Sequence, residues 1–561
     1  MSHESFDTDV LIVGAGPVGL TMAMDLAGRG VKVTVVETRR YAEPPNVKCN
    51  HVAARTMEVF RRLGVAQKVR DAGLPQDYPN DVVFRTSATG TELTRIPIPC
   101  RRDRYSETEG PDAWWPTPEP PHRINQIFLE PILLEHTAAL PGVTLLNRTQ
   151  MNTFEQDADG VTVSVADLES GVARLIRCRY LVGCDGGSSG VRKQMGAKLE
   201  GTPVIQRVQS TYLRAPALRA MLPGKLAWCY YSVNPRRCGT MFAIDGRDTW
   251  LVHNHLNANE PEFDSVDRDR SIREILGVDA DFQYETISKE DWVGRRLVAN
   301  RFRDRNVFIA GDAAHLWVPY AGFGMNAGIA DAVNLSWLLA ARVQGWGDEG
   351  MLDAYEAERQ PITEQVSQFA MDHAQKMIRA RGAVPEDIEA PGPEGEARRA
   401  AVGREAYELN VQQYCCAGLN FGYFYTGSPI IVSDGAEAPA YSMGDFTPST
   451  VPGCRAPHFW LRDGRSLYDA FGPGYTVLRF DRATDVSALE AAAREHGLPL
   501  VVLDVGDEDT PAAYEHKLVL CRSDQQVAWR GDTVAASATS LVARLRGVSP
   551  ERLVAALEAV G

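Results

Sequence analysis

A glycine-rich turn between a short apolar strand and a helix is the feature that most constrains the fold of this chain. Residues 8–14 (TDVLIVG) predict a buried strand, residues 17–30 a helix and residues 31–37 (VKVTVVE) a second strand, which together predict a βαβ unit. The turn has the spacing G-x-G-x-x-G, whose glycines let the backbone approach a pyrophosphate at the N-terminus of the helix. The residues predicted to bind this dinucleotide are Gly14, Gly16, Pro17, Val18, Gly19 and, at the end of the second strand, Glu37.

Two later motifs extend this prediction. Residues 181–192 (LVGCDGGSSGVR) predict a strand that ends at Asp185, and residues 307–326 (VFIAGDAAHLWVPYAGFGMN) predict a strand that ends at Gly311 and Asp312. An aspartate at the carboxyl end of a parallel strand can reach a ribose or ribityl hydroxyl. The backbone amides of residues 322–326, where the next helix begins, can bind a flavin ring. The three motifs in this order favour FAD over a nicotinamide dinucleotide as the bound cofactor.

With these motifs the chain resembles the single-component FAD-dependent aromatic hydroxylases, the class A flavoprotein monooxygenases that include para-hydroxybenzoate hydroxylase and phenol hydroxylase. The resemblance spans essentially the whole chain, including residues 355–359 (YEAER). It implies that Glu37 binds the adenosine ribose, Arg55 the pyrophosphate and Asp312 the ribityl chain. It also implies that Gln126 lies at the flavin, and that residues 319–326 wrap the isoalloxazine ring. The members of this segment predicted to bind FAD are Pro319, Gly322, Gly324, Met325 and Asn326.

The expected fold class is α/β: a Rossmann-type FAD-binding domain with an inserted antiparallel-sheet substrate domain and a C-terminal thioredoxin-like domain. Alternating, aromatic-rich segments between residues 202 and 256 predict the antiparallel sheet. Residues 384–399, which are polar and rich in Pro, Gly and Glu, predict a linker or loop. The expected domains are residues 1–80, 105–200 and 290–380 for FAD; 81–104 and 201–289 for substrate; 381–451 for a linker or helical segment; and 452–561 for a thioredoxin-like domain without Cys-x-x-Cys.

In this family, NADH or NADPH reduces the flavin, and dioxygen then forms a flavin C4a-hydroperoxide that hydroxylates an aromatic ring. The resemblance therefore implies a monooxygenase for a phenolic or polyphenolic substrate. No second Rossmann unit is found, so NAD(P)H is expected to bind transiently. A flavin oxidase, a dehydrogenase or a Baeyer–Villiger oxygenase on the same fold stays open, because FAD motifs do not report the fate of the hydroperoxide. A non-catalytic flavoprotein-fold binding protein is the remaining alternative.

Candidates for substrate chemistry are less well defined. Phenol hydroxylase-like relatives carry an acidic residue shortly before the Arg-Thr pair, where this chain has KCNH; His51 is the candidate base and Asn50 could orient the substrate. On the aromatic sheet, strand alternation predicts that Trp228 and Tyr230 share one face and Tyr231 the other. Tyr230 is a catalytic candidate. The residues expected to line the substrate cavity are Trp228, Tyr231, Trp317 and Val318.

Composition limits the other partners. The formal net charge of −14 argues against nucleic acid or an anionic membrane as a partner. The polar N-terminus and ten scattered cysteines predict a cytoplasmic protein with reduced thiols. No metal site is expected, since His253 and His255 lack a third ligand at useful spacing. For the C-terminal domain, which lacks the redox motif, packing or homodimer formation is expected.

Overall fold

The computed structural model describes residues 6–113, 115–506, 509–534 and 538–549. Trp114, in the Pro-rich loop expected to lie at the surface or at the active site, is outside them. The strands are β1 (Thr8–Val13), β2 (Val33–Val36), β3 (Val82–Arg85), β4 (Glu92–Ile96), β5 (Val143–Leu146), β6 (Thr149–Gln156), β7 (Val161–Asp167), β8 (Ala173–Gly183), β9 (Leu199–Arg214), β10 (Cys229–Ser232), β11 (Gly239–Ala243), β12 (Thr249–His255), β13 (Glu285–Ala299), β14 (Arg303–Asp304), β15 (Val307–Ile309), β16 (His315–Trp317), β17 (Tyr475–Arg479), β18 (Leu500–Asp504), β19 (Leu518–Arg522) and β20 (Val527–Gly531).

The helices connect these strands and cover the sheets. They are α1 (Pro17–Gly28), α2 (Ala54–Arg62), α3 (Ala66–Asp71), α4 (Gln126–Ala138), α5 (Gly190–Gln194), α6 (Leu218–Met221), α7 (Arg268–Leu276), α8 (Phe323–Val343), α9 (Gly350–Gly382), α10 (Gly392–Tyr414), α11 (Ala417–Phe421), α12 (Ser487–Glu495) and α13 (Ala538–Leu545).

The first sheet carries the predicted dinucleotide motifs. Its strands follow the order β14-β15-β8-β1-β2-β5, with β6 and β7 attached beside β8. From β15 to β5 all neighbours are parallel, and β1 lies between β8 and β2 with Val10 opposite Tyr180 and Val33. Both faces are covered, so β2 is buried along its whole length. This is the Rossmann-type domain that the sequence predicts.

The second sheet is the inserted layer. Its order is β16-β13-β9-β12-β11-β10-β3-β4, and its pairings are antiparallel except for the parallel pair β10–β3. The predicted boundary at residue 289 falls inside β13, which runs to Ala299 and pairs with β9. Charged residues along this strand hide the alternation that would have marked it.

The C-terminal unit is a four-stranded sheet of order β18-β17-β19-β20, in which only β17 and β18 are parallel. Helices α12 and α13 pack on it through the apolar residues Leu489 and Leu541. The region before it is more helical than predicted, because α10 begins at Gly392 inside the expected linker. This helix packs against β4, where a Cβ built on Gly403 would lie 2.3 Å from the carbonyl oxygen of Leu93.

Candidate functional site

The three sequence motifs meet at the carboxyl edge of the first sheet. A Cβ built on Gly14 would lie 2.4 Å from the carbonyl oxygen of Cys184, so the first two motifs touch through their backbones. One built on Gly311 would lie 3.0 Å from a methyl carbon of Val18, so the third motif packs on the first. Gly14 and Gly311 also have positive φ values of 104° and 61°. The glycines therefore bring three strand ends to one cleft.

Glu37 lies at one end of this cleft. Its Oε2 accepts a hydrogen bond from the amide of Ala15 at 2.8 Å, and its Oε1 accepts one from the amide of Arg39 at 2.9 Å. Burial opposes ionisation, but hydrogen bonds from Arg39 and Ala15 hold the pKa of Glu37 below its ordinary value. Arg39 also pairs with Glu130, whose second oxygen accepts from Gln126 at 2.9 Å. Sequence reasoning missed Arg39, because a lone arginine after a strand carries no periodic signal.

The two motif aspartates present oxygen atoms to the cleft. Asp185 uses Oδ2 to accept from the amides of Gly190 at 2.7 Å and Val191 at 3.2 Å. Its Oδ1 is buried and has no hydrogen-bond partner among the described residues. The Asp312 side chain is exposed at the cleft. Desolvation by the surrounding residues raises the pKa of Asp312, and the charges of His315 and Lys48 oppose this increase.

The residues of the cleft fit FAD. An orphaned carboxylate oxygen on Asp185 and a free carboxylate on Asp312 suit the hydroxyl groups of a ribityl or ribose chain. A Cβ built on Gly16 or Gly324 would meet no atom within 4 Å, so the backbone at the starts of α1 and α8 borders open space. Both helix N-termini can bind an anion or a polar ring edge through their amides.

The turn before α8 is shaped by Gly322, which adopts a left-handed conformation with φ of 60°. Pro319 is exposed and Met325 is half-buried beside it. The Asn326 side chain does not face the cleft: its Oδ1 accepts from the amide of Ala53 at 2.8 Å, and its Nδ2 donates to the carbonyl oxygens of His51 and Gly322. It therefore fixes the turn against residues 51–53, and only its backbone is available to a flavin.

The Arg55 side chain contacts the C-terminal unit. Its guanidinium donates to Gln525, to the carbonyl oxygen of Asp524 and to the hydroxyl of Tyr423, and it pairs with Glu58. This side chain joins α2 to the C-terminal unit, and its contact with the pyrophosphate stays a prediction from the family resemblance.

His51 lies between the flavin turn and the second sheet. It is 3% exposed, its carbonyl oxygen accepts from Asn326, and its Nδ1 lies 2.5 Å from Nη1 of Arg123. Burial and the charge of Arg123 hold the pKa of His51 well below 6.5. A neutral ring whose Nδ1 already accepts a hydrogen bond is a poor base, so this geometry argues against the predicted role.

Asn50, the other candidate before α2, is held by the N-cap of α4. Its Oδ1 accepts from Nδ2 of Asn125 at 2.5 Å, and that same Nδ2 also donates to the carbonyl oxygen of Lys48. The neighbouring carbonyl oxygen of Cys49 accepts from the amide of Gln126. Residues 48–51 therefore line the cleft through a backbone that α4 fixes, and the amide of Asn50 is part of this support.

The aromatic side chains of Trp228, Tyr230 and Tyr231 are not distributed between the two faces of the second sheet as alternation predicts. Trp228 lies just before β10, and its amide and that of Cys229 both donate to the carbonyl oxygen of Asp81, so the alternation of the strand does not extend to Trp228. Trp228 and Tyr231 consequently lie on one face, the Tyr231 hydroxyl 2.6 Å from that of Tyr414.

Tyr230 points to the opposite face. Its ring packs edge-on to Trp250 and its hydroxyl accepts from the amide of Ala227. Tyr230 is therefore a buried core residue, a position that does not favour its predicted catalytic role.

Trp317 and Val318 are separated from this aromatic face. Trp317 stacks on His315 and lines a cavity with Arg55 and Phe323. Val318 is buried beside Ala374 of α9. Trp317 and Val318 thus belong to apolar clusters other than the one that contains Trp228 and Tyr231, and their role in lining the substrate cavity stays a prediction.

Several residues at this site carried no sequence signal. Arg123 follows a Pro-rich loop, and Tyr414 ends a helix that the sequence predicted as linker or helical segment. His253 and His255 were considered only for metal binding; in the structure His255 pairs with Gln206 at 2.6 Å, and burial lowers the pKa of both histidines. Among the described residues, no group of three His, Cys, Asp or Glu side chains is arranged to hold a metal ion.

Three buried histidines predict a loss of stability in mild acid. Burial lowers the pKa of His51 well below 6.5, that of His122 to about 3 and that of His373 to about 4. Because the unfolded chain binds these protons near pH 6.5 and the folded chain does not, stability is full above that pH and falls as the pH drops below it. Each histidine is expected to contribute up to about 1.4 kcal/mol per pH unit between about pH 6 and 5.

Urea unfolding at pH 7, 6 and 5 measures this slope. A His373→Gln variant is expected to show a shallower slope than the parent chain. Equal unfolding free energies at pH 7 and 5 would contradict the assignment of neutral, buried histidines.

None of the helices in the described ranges combines the length and apolarity needed to cross a membrane. All ten cysteines are free, and those of the C-terminal unit, Cys454 and Cys521, are buried on separate segments.

Comparison with known proteins agrees with this geometry. The sequence profile of the family described as FAD binding domain matches residues 7–370, and that described as aromatic-ring hydroxylase, C-terminal, matches residues 449–549. The first match contains all three glycine-rich motifs and the whole of the second sheet, and the second contains the four-stranded C-terminal unit.

Curated proteins and solved structures give the same result. The FAD-dependent monooxygenase opdD of Penicillium oxalicum is 31% identical over 86% of this chain and 95% of its own length. The aklavinone 12-hydroxylase RdmE of Streptomyces purpurascens is 32% identical over 95% of this chain and 97% of its own. The structure of RebC with bound 7-carboxy-K252c is 34% identical, with a TM-score of 0.87, over 97% of this chain and 100% of that one.

Proposed function

Because the chain belongs to the family of FAD-dependent aromatic-ring monooxygenases, we propose that it uses NADH or NADPH and dioxygen to hydroxylate a phenolic or polyphenolic substrate. The observation that carries the proposal is the position of His51. Its carbonyl oxygen holds the turn before α8, and its ring holds Arg123 at the aromatic face of the second sheet. One residue thus joins the flavin side of the cleft to the candidate substrate side.

The residues proposed to hold FAD are Glu37 for the adenosine ribose, Asp185 and Asp312 for hydroxyls of the connecting chain, and the backbone of residues 322–326 for the ring. When bound and reduced, FAD supplies the activation of dioxygen and the transfer of one oxygen atom to the aromatic ring. NADH or NADPH is proposed as a transient reductant. Gln126 would contribute through the Glu130–Arg39–Glu37 network.

The chain itself would bind and orient the aromatic ring and exclude water. Trp228 and Tyr231 present flat apolar surfaces, and Tyr231 stacks on Phe84 with ring centroids 4.5 Å apart. Burial raises the pKa of Tyr231 and of Tyr414, so both hydroxyls stay protonated and can hydrogen-bond a substrate oxygen. Relatives named for aklavinone and 7-carboxy-K252c support a substrate of several rings.

The location and the assembly of the protein are also proposed. A cytoplasmic location is proposed from the ten free thiols, which suit a reducing compartment. Homodimer formation through the C-terminal unit is kept as a proposal from the family resemblance.

Oxidation of NADH and NADPH by the FAD-loaded protein tests the function across a panel of phenols and multi-ring phenols, with oxygen uptake and peroxide release followed together. Substrate-stimulated oxidation, little peroxide and a product heavier by one oxygen atom would support a hydroxylase. Stoichiometric peroxide without oxygenated product from any phenol would mean an oxidase and would overturn the proposal.

An Asp312→Asn variant is expected to weaken FAD binding by about ten- to hundredfold, because it removes a charge-assisted hydrogen bond of roughly 1.5–3 kcal/mol. The measurement is titration of the deflavinated protein with FAD, followed by flavin fluorescence. Asp372→Asn is the matched control, since Asp372 is exposed on α9 and accepts only from Gln368. A dissociation constant for Asp312→Asn within twofold of the control would contradict the role.

A further inference from the structure

Arg123 is a buried cation without an anionic partner. It is 6% exposed, and among the described residues the only hydrogen bond of its guanidinium goes to Nδ1 of His51. Its Cζ lies 4.4 Å from the ring centroid of Trp228 and 5.8 Å from that of Tyr414. An arginine stays protonated in a protein, and a buried charge is ordinarily paired. The mechanism described above leaves this charge unused.

The neighbouring charges do not neutralise Arg123. Asp112 is 2% exposed and already pairs with Arg104, Nη1 to Oδ2 at 2.5 Å, while its Oδ1 accepts from Nε1 of Trp115 at 3.0 Å. Burial keeps the nearby hydroxyl of Tyr414 neutral by raising its pKa. Arg104, Asp112 and Arg123 together therefore carry one surplus positive charge in a desolvated place.

A row of rings leads away from this charge across the second sheet. It passes from Trp228 to Phe242, His253 and Trp292, with successive ring centroids 5.2, 5.5 and 5.8 Å apart. Phe242, His253 and Trp292 are each only partly buried. Strands lie about 4.8 Å apart, so a row from β10 to β13 is longer than one benzene ring. Successive rings are inclined by 56°, 63° and 73°, so the row offers ring faces and edges in turn along a length that suits a molecule of several fused rings.

We infer that Arg123 selects an aromatic substrate of several fused rings that carries an anionic oxygen group, a carboxylate or a phenolate, which binds the guanidinium while the rings lie along the row from Trp228 to Trp292. The inference rests on the proposed function for the identity of the site. A guanidinium presents parallel N–H donors that match such an oxygen group. Since His51 occupies one nitrogen of Arg123 and also holds the flavin turn, the anionic end lies at the flavin side of the row.

The test is binding of three probes to the FAD-loaded protein without reductant: anthracene-2-carboxylate, anthracene-2-carboxamide and 2-hydroxyanthracene. Dissociation constants come from probe fluorescence. The carboxylate is expected to bind at least about tenfold more tightly than the carboxamide. In Arg123→Gln that preference should fall below about twofold, and in Arg123→Lys it should be intermediate. If the carboxylate is preferred to the carboxamide and 2-hydroxyanthracene binds more tightly still, with the absorbance of its phenolate, the anionic group is assigned as a phenolate.

Arg247→Gln is the control, because Arg247 is exposed on the turn between β11 and β12. Equal binding of carboxylate and carboxamide by the parent protein would overturn the inference, as would a preference that survives in Arg123→Gln. Flavin content and thermal unfolding verify that each variant is folded. If Arg123→Gln does not fold, the preference of the parent protein for the carboxylate over the carboxamide tests the inference. Binding needs neither NAD(P)H nor turnover, so failure of hydroxylation and failure of anion selection give separate results.

Discussion

Gly19→Ala is expected to destabilise the protein by roughly 3 kcal/mol or more and to yield a chain that does not retain FAD. A Cβ at this position would lie 2.0 Å from the carbonyl oxygen of Gly14 and 3.3 Å from a methyl carbon of Ile12. Both obstacles belong to β1 or to the turn that follows it, so neither can move without displacing α1 from the first sheet. The third glycine of the motif is thus needed for packing of helix on strand.

Alanine substitutions at two further glycines, one in the same motif and one at the end of α1, serve as controls for this prediction. Gly28→Ala, at the end of α1, meets no atom within 4 Å and is expected to leave stability equal or up to about 1 kcal/mol higher. Gly16→Ala also meets no protein atom, so the apoprotein should keep its stability while FAD binding weakens by about tenfold or more. Urea unfolding and FAD titration measure both effects. A Gly19→Ala protein as stable as Gly28→Ala would refute the packing argument.

The fold was largely predictable because its strongest signals are local. Three local patterns predict its first elements. An uninterrupted apolar run predicts β1, a glycine-rich turn predicts the start of α1, and a second apolar run predicts β2. The errors lie where solvent-facing residues dominate an element. Strand β13 carries charged residues along its exposed side, so its sequence does not show the two-residue alternation of a strand. Helix α10 begins within a Pro- and Gly-rich segment, so its start does not show the periodicity of a helix.

The candidate site was predictable in part, for a different reason. Backbone positions that need glycine, and aspartates at strand ends, follow from the chain alone. The direction of a side chain does not, when it depends on contacts from a distant segment. Arg55 turns toward Asp524 and Gln525 across the domain junction, and Trp228, which lies before β10, packs by Tyr414 and not on the side of Tyr230. The position of the Arg123 guanidinium depends on contacts with His51 and Trp228, which lie far away in sequence.

The C-terminal unit is tied to the FAD-binding domain by a buried ion pair, and its loss is the second large effect expected. Arg522 is fully buried and binds Glu358 of α9 through both Nη atoms, at 2.5 and 2.8 Å. It also binds Asp524 at 2.6 Å. Glu358 precedes Arg359, which pairs with Asp331, whose Oδ2 accepts from the amide of Gly311. The ion pair therefore supports the helix that buttresses the third motif.

Arg522→Met is expected to cost about 3–5 kcal/mol, because it leaves two buried carboxylates without their cation. Adding Glu358→Gln and Asp524→Asn should restore much of that loss, since neutral amides need no counter-charge. Arg270→Ala is the surface control: its pair with Glu274 is exposed, and its removal should cost less than about 0.5 kcal/mol. Urea unfolding measures all three. If Arg522→Met were no more costly than Arg270→Ala, the C-terminal unit would be held by its other contacts, such as those of Arg55, and the proposed support of the FAD cleft through α9 would have to be abandoned.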